Sequence, residues 1–269
     1  MIAFMAYVDD AEGWRRLIAS LAQWSRAIDG ASEGMRSIDR DGLVMTITPA
    51  VPERSIVNDV VYWDGVALIA AYDEIEEAYA AAGIDAWLVW SPDTDTDIAG
   101  ALAERGHVLD SDPEAMVLDL DGVERPTEPA GFSRSIDPVE LARLNDHAYG
   151  MHSAFARALA RLEAGGGLYF YGVEDDEGLA SGLVTFDHQD DCSVWLVATR
   201  ESARGRGLAS ALMAHALVDA RERGRTTSTL QASDLGRPVY ERLGYRSLGE
   251  IQMWEKRRSG GDGLADGNA

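Results

Sequence analysis

The sequence predicts an α+β fold of three layers, a mixed sheet carrying helices on both faces. Three observations lead there. Hydrophobic residues make up 46% of the 269 positions and include seven tryptophans, enough for packed cores. Strand-like and helix-like segments follow one another in the second half in the order β-α-α-β-β-β-α-β-α-β. Glycine and proline clusters punctuate them where one element must stop and the next begin.

The length suits two ordinary domains better than one. The stretch from Gly122 to Gly131, GVERPTEPAG, holds Pro126 and Pro129, little apolar content and no periodicity. It reads as a linker, giving an N-terminal unit over 1–121, a linker over 122–131 and a C-terminal unit over 132–257. The Gly- and Asp-rich residues 258–269 read as a flexible tail.

In the C-terminal unit, Phe132 to Ile136 reads as a strand, and Asp137-Pro138 as an N-cap followed by proline at the first helical position. Helices are expected over 138–147 and 152–164, the second stopped by Gly165-Gly166-Gly167. Strands follow at Leu168 to Val173, Leu179 to Phe186 and Ser193 to Thr199. After Arg204 to Gly207, the residues Leu208, Leu212, Met213, Ala216, Leu217 and Ala220 share one face at helical spacing, and Gly224 ends that helix. Thr227 to Ala232 reads as a strand, Gly236 to Leu243 as a helix and Tyr245 to Glu255 as paired strands or one long one. In the N-terminal unit the pattern gives strands at Val57 to Trp63 and Ala86 to Trp90. It gives a helix bearing Leu68, Ala71, Tyr72, Ile75 and Tyr79, another over Thr96 to Arg105, and strands running to Leu120.

Composition excludes several function classes. The net charge is −22, and residues 1–125, with 25 acids and 8 bases, carry −17 of it. Such a field repels nucleic acid and anionic membranes, and it either draws in a cationic substrate or simply solubilises the surface. Cys192 is the single cysteine, so there is neither a disulfide framework nor a CxxC metal site, and no structural metal is expected. The start, Met1 to Val8, has no basic leader region, and nothing approaches a membrane span of about 18 apolar residues. A soluble cytoplasmic protein is the expectation.

The segment Val197-Ala-Thr-Arg-Glu-Ser-Ala-Arg204-Gly205-Arg206-Gly207-Leu208-Ala209 joins a strand to an amphipathic helix. Two glycines let the backbone turn tightly and approach a ligand closely. Successive free N–H groups then converge where the helix dipole adds about half a positive charge, a setting that suits a pyrophosphate. Arg204 and Arg206 are placed to add charge-assisted contacts. A dinucleotide fingerprint would need glycine where Ser210 stands, and a P-loop would need Gly-Lys-Ser/Thr, which is absent.

Arg204-x-x-Gly207-x-Ala209 resembles the R/Q-x-x-G-x-G/A signature of the GNAT superfamily of N-acetyltransferases. Leu230-Gln-Ala-Ser233 followed by Val239-Tyr240-Glu-Arg-Leu-Gly244-Tyr245 is similar to that family's second landmark, one helix and one strand downstream. The resemblance spans roughly residues 130–257. It implies a mostly antiparallel sheet whose two central parallel strands splay apart, here near Val197 and Ala232. An acyl-CoA, acetyl-CoA by default, would fill the gap, its pantetheine arm on the edge bearing Val197 and Thr199. Its diphosphate would lie on the turn of Arg204, Gly205, Arg206, Gly207, Leu208 and Ala209. Ser233 stands where relatives often carry asparagine. The acyl group would pass directly to an amine acceptor, with Tyr240 as general acid for the departing thiolate; small cationic amines, antibiotics, amino acids and protein N-termini all stay open as acceptors. Cys192 is expected in the core. Asp187, His188, Asp190, Glu250, His147 and His152 stay open as proton acceptors. The rival reading is a CoA-binding module without catalysis.

Ala101-Leu-Ala-Glu-Arg-Gly106-His107 up to Met116 resembles Tyr240-Glu-Arg-Leu-Gly244-Tyr245 up to Met253, with Leu102 roughly where Tyr240 would be. The N-terminal unit therefore looks like a degenerate second copy of the fold, as in tandem GNAT proteins. It has no glycine-rich turn of its own. Walling the acceptor cleft and homodimerisation are the two roles open to it.

Overall fold

The computed structural model describes residues 8–258, so the tail from Ser259 and the apolar start before Val8 lie outside the described residues. The first element is a helix absent from the sequence reading, α1 (Asp10–Ala27). Asp9 caps it by accepting from the Glu12 N–H at 2.8 Å, and Leu17, Ser20, Leu21 and Trp24 form its buried face at spacings of three and four. A hairpin follows, β1 (Arg36–Arg40) and β2 (Leu43–Ile47), also unassigned from sequence. Next come β3 (Asp59–Tyr62), α2 (Gly65–Ala70), α3 (Tyr72–Ala81), β4 (Ala86–Pro92), α4 (Thr96–Glu104), β5 (Val108–Ser111) and β6 (Glu114–Asp119). The expected helix through Leu68 and Tyr79 is thus two, meeting at Ala71.

Residues 123–129 carry neither helix nor strand. The second half runs β7 (Phe132–Ser133), α5 (Pro138–Tyr149), α6 (Ala154–Ala158), β8 (Leu168–Asp175), β9 (Gly178–His188), β10 (Asp191–Thr199), α7 (Leu208–Glu222), β11 (Thr227–Ala232), α8 (Arg237–Leu243) and β12 (Arg246–Arg257). Asp137 caps α5 with Pro138 at its start, as expected, and Gly150 ends it in the left-handed region. Two elements are shorter than read. Strand β7 stops at Ser133, and α6 stops at Ala158 because Leu159 and Leu162 leave the helical course to bury in the core beside Ala31 and Met35.

The strands form one sheet in the order β1-β2-β3-β4-β12-β6-β11-β10-β9-β8-β7, with β5 on β12. Only β3–β4 and β10–β11 pair in parallel. The order records an exchange. The front of β12, Arg246 to Glu250, pairs with β6, and its rear, Ile251 to Arg257, crosses to pair with β4. Reciprocally, β6 leaves the first half and inserts between β11 and the front of β12. Each half therefore places its last strand in the other half's sheet. Met116 faces Leu230 on β11, and Met253 faces Trp90 on β4, so the two matched methionines occupy corresponding places.

The layers follow. Helices α2, α3 and α4 cover one face of the first half through Leu68, Tyr72, Ile75, Tyr79 and Leu102. Helix α7 covers the same face of the second half through Leu208, Leu212, Met213, Ala216 and Leu217, with Tyr240 of α8. The other face carries α5 and α6 on the second half and α1 on both, Leu17 and Leu21 packing on Val44, Val61 and Leu88. Trp24 of α1 stacks on Trp195 of β10 at 4.5 Å between ring centres. This is the expected three-layer α+β arrangement, in two copies. No helix among the described residues is long and apolar enough to cross a membrane.

Candidate active site

Strands β10 and β11 pair only at Asp191–Thr227, Cys192–Ser228 and Ser193–Thr229. Beyond Ser193, β10 stays on β9 but shifts register between Trp195 and Ala198, with Leu196 at φ 53°, a conformation costly for a leucine. The bulge leaves the Val197 to Thr199 edge unpaired with β11. Backbone groups of such an edge are available to an extended ligand, although the Val197 carbonyl here already accepts from Tyr149.

A cleft of about 560 Å³ opens there. Val197, Thr199, Arg204, Gly205, Gly207, Leu208, Ala209 and Tyr240 all line it, so eight of the ten residues singled out from sequence meet around one space. Gly205 and Gly207 sit at φ 75° and 74°, where a side chain would strain the turn, and no atom lies within 4 Å of where a Cβ would be. Among the described residues, no side chain caps α7, and its first turn contains no acid. Its leading amides thus face the cleft with the dipole behind them.

The two remaining residues do not line it. Arg206 turns to Asp175, at 3.5 Å, which also holds Arg200 at 2.6 Å. The Ser233 hydroxyl accepts the Gly236 N–H at 3.3 Å. Arg204 and Arg242, by contrast, line the cleft and make no ion pair among the described residues. In a chain with 46 acids that leaves two cations facing one space.

Tyr240 is 6% exposed, with its ring edge-on to Tyr245. Burial raises its phenol pKa above the ordinary tyrosine value, and nearby Tyr149 adds to the rise. Gly236 packs directly against the phenol, since a Cβ there would stand 2.9 Å from Tyr240 Cε2. Tyr149, at the end of α5, also lines the cleft and donates to the Val197 carbonyl at 3.1 Å. Neither Tyr149 nor Arg242 stood out in the sequence, because nothing in a helix-end tyrosine or a surface arginine announces a cleft.

The first half supplies an internal comparison. Asp64 occupies the N-cap of α2 and accepts from the Val66 and Ala67 amides at 2.9 and 3.1 Å. Its parallel pair is bridged where it would part: the Tyr62 hydroxyl bonds Ser91 Oγ at 2.8 Å and donates to Asp95 at 2.7 Å. Leu102 is fully buried in the core of that half. In this copy side chains cross between the strands and the helix start is already occupied.

Among the residues considered as proton acceptors, Asp187 is engaged by Arg223 through two contacts of 2.8 Å, and with His188 and Asp190 it lies at the closed end of the β10–β11 pair. His147 and His152 flank Tyr149 in sequence, and both are exposed. Glu250 pairs in register with Glu114, which in turn faces Ala232 at the open end of β11. Cys192 is fully buried, and burial pushes its thiol pKa well up. Among the described residues no group of three His, Cys, Asp or Glu side chains is placed to hold a metal ion.

Comparison with known proteins bears on the fold. Residues 166–247 match the family model described as an acetyltransferase (GNAT) domain. A GCN5-related N-acetyltransferase from Kribbella flavida superposes with a TM-score of 0.65 at 19% identity, over 91% of this chain and 95% of that one. A GCN5-related N-acetyltransferase from Sphaerobacter thermophilus gives 0.58 at 18% identity, over 93% and 94%. A tandem GNAT protein from the clavulanic acid biosynthesis pathway gives 0.57 at 18%, over 82% and 79%. These likenesses extend through both halves and show the fold. No curated protein matches the chain.

Proposed function

We propose, from the match of residues 166–247 to the acetyltransferase (GNAT) family model, that the chain is an acyl-CoA-dependent N-acyltransferase, with acetyl-CoA as donor and a small amine as acceptor. One observation carries the reading. The second copy has a cleft beside its parallel strands and an uncapped helix start, whereas in the first Tyr62 bridges to Ser91 and Asp95 and Asp64 caps the helix.

The residues present fit such a donor. The amides from Gly205 through Ser210, with Arg204, would hold a diphosphate, and the Val197–Thr199 edge would hold the pantetheine arm. The thioester supplies an activated acyl carbon. A neutral amine nitrogen bonds to that carbon while the carbon–sulfur bond breaks. Tyr240, kept protonated by its buried position, gives its proton to the sulfur. The amine's surplus proton leaves to solvent, and the phenol is then reprotonated. Cys192 is sealed in the core and out of reach of the cleft, and the acyl group is read as passing directly to the amine, as the family resemblance implies.

The acceptor side is the face of the sheet opposite α7 and α8, where α1 of the first half stacks on β10. That half carries most of the chain's excess of acids, which supports an acceptor that is cationic in bulk solution. The test is release of free CoA thiol from acetyl-CoA across a panel of primary amines, beside calorimetric binding of CoA. Turnover with at least one amine is expected. Tight CoA binding without turnover on any amine would favour a non-catalytic CoA-binding module instead, and no binding would remove both.

A further inference from the structure

We propose that Tyr149 sets the length of acyl chain the donor can carry, its ring forming the end wall of the groove where β10 and β11 part. The proposal deepens the acyl-transfer reading and rests on it.

The argument begins with the two faces of the sheet. Helices α7 and α8 lie on one face and α5 on the other. Of the residues lining the cleft, only Ala148 and Tyr149 come from α5. Tyr149 is the last residue of that helix, and Gly150, left-handed at φ 64°, turns the chain away immediately after it. The side chain reaches through to the cleft and its hydroxyl bonds the Val197 carbonyl, on the edge freed by the bulge.

The phenol also sits near the opposite strand. Partial burial raises its pKa, while the hydroxyl of Ser233, just beyond β11, and the charge of Arg204 oppose the rise. Tyr149 therefore stands between the two parted strands, close enough to Tyr240 to influence that phenol as well. The residue is 44% exposed, as expected for a partition facing open space rather than for a core filler.

An acyl group held beside Tyr240 must point from the donor groove toward the face from which an amine arrives. Tyr149 bounds that path. A two-carbon acyl group ends short of the ring, whereas each further methylene must occupy the ring's volume or displace it. Losing a large aromatic ring from such a wall opens apolar space that an alkyl chain fills favourably.

The experiment measures dissociation constants for acetyl-CoA and octanoyl-CoA by calorimetry, on wild type, Tyr149→Ala and Tyr149→Phe, with kcat/KM for both donors where turnover exists. Tyr149→Ala is expected to shift the octanoyl-to-acetyl preference at least tenfold toward octanoyl in both measures. Tyr149→Phe keeps the ring and is expected to keep the wild-type preference. An unchanged preference in Tyr149→Ala would overturn the proposal while leaving acyl transfer intact. An equal shift in both variants would also overturn it, by assigning the effect to the hydroxyl rather than to the ring. A wild-type chain that binds neither thioester would overturn this proposal together with the reading beneath it.

Discussion

Asp64 and Gly207 hold the same place in the two halves, directly ahead of the helix that follows the first parallel strand, and only Asp64 caps it. A carboxylate there neutralises the positive end of the helix and uses the very amides that an anionic ligand would need. Two expectations come from this contrast. Calorimetry should give one CoA site per chain, not two. Gly207→Asp, which sets a carboxylate ahead of α7 and strains a turn held at φ 74°, should weaken CoA binding at least about 100-fold while the circular dichroism spectrum stays native-like. A stoichiometry of two, or binding that survives Gly207→Asp, would contradict the assignment of the diphosphate to this turn.

Tyr240 has a definite signature in pH. Its burial raises the phenol pKa above the ordinary value of 10, so the proton it donates is present throughout the range in which amines lose theirs. The profile of kcat/KM should therefore rise with the ionisation of the acceptor amine and show no descending limb up to about pH 10. Tyr240→Phe should lower kcat by about 100-fold or more with little change in the KM for the donor. A descending limb in the wild type with a midpoint below pH 9 would remove this phenol from the role of acid.

Strand exchange makes the halves mutually dependent. Without β6, the edge of β11 from Thr227 to Ala232 would lie open, and without the rear of β12 so would β4. Long unpaired edges with buried side chains invite aggregation. A chain cut within 123–129 should yield insoluble halves when each is expressed alone and a soluble complex when both are expressed together. Two soluble, well-dispersed halves in separate heteronuclear NMR spectra would show that the exchange is dispensable.

The sequence made the second half legible because its punctuation is strong. Gly224 and Gly244 end helices at φ 92° and 99°, and the order of elements between them follows the spacing of apolar residues. The repeat from Gly106 to Met116 also proved geometrical, since Met116 and Met253 meet equivalent strands. The exchange itself was hidden. Residues 115–118 are buried along their whole length, which identifies an interior strand without naming its neighbours. The left-handed Leu196 has no local signal in Trp-Leu-Val, and the Tyr149 to Val197 bond joins residues 48 apart. The first 56 residues, α1 above all, were unread although α1 holds both halves together.

A second equivalence between the copies gives the last expectation. Asp59 opens β3 as Asp191 opens β10, Asp59 partly and Asp191 almost fully buried, and each meets a donor on the adjoining parallel strand: Trp90 Nε1 at 2.9 Å for Asp59, and Thr229 Oγ1 at 2.6 Å for Asp191. Burial raises the Asp59 carboxyl from 3.8 to about 6, outweighing the hydrogen bonds that pull it down. The folded chain therefore binds a proton that the unfolded chain releases between those two values. Stability from this group is complete below about pH 3.8 and is lost as pH rises through about 6, a change worth up to about 3 kcal/mol. Asn at this position keeps an oxygen for Trp90 and carries no charge. Asp59→Asn should accordingly raise the urea midpoint at pH 7.5 and lose that advantage as the pH approaches 4. An advantage equal at both values, or a loss at pH 7.5, would mean that the carboxylate is stabilised in the fold after all.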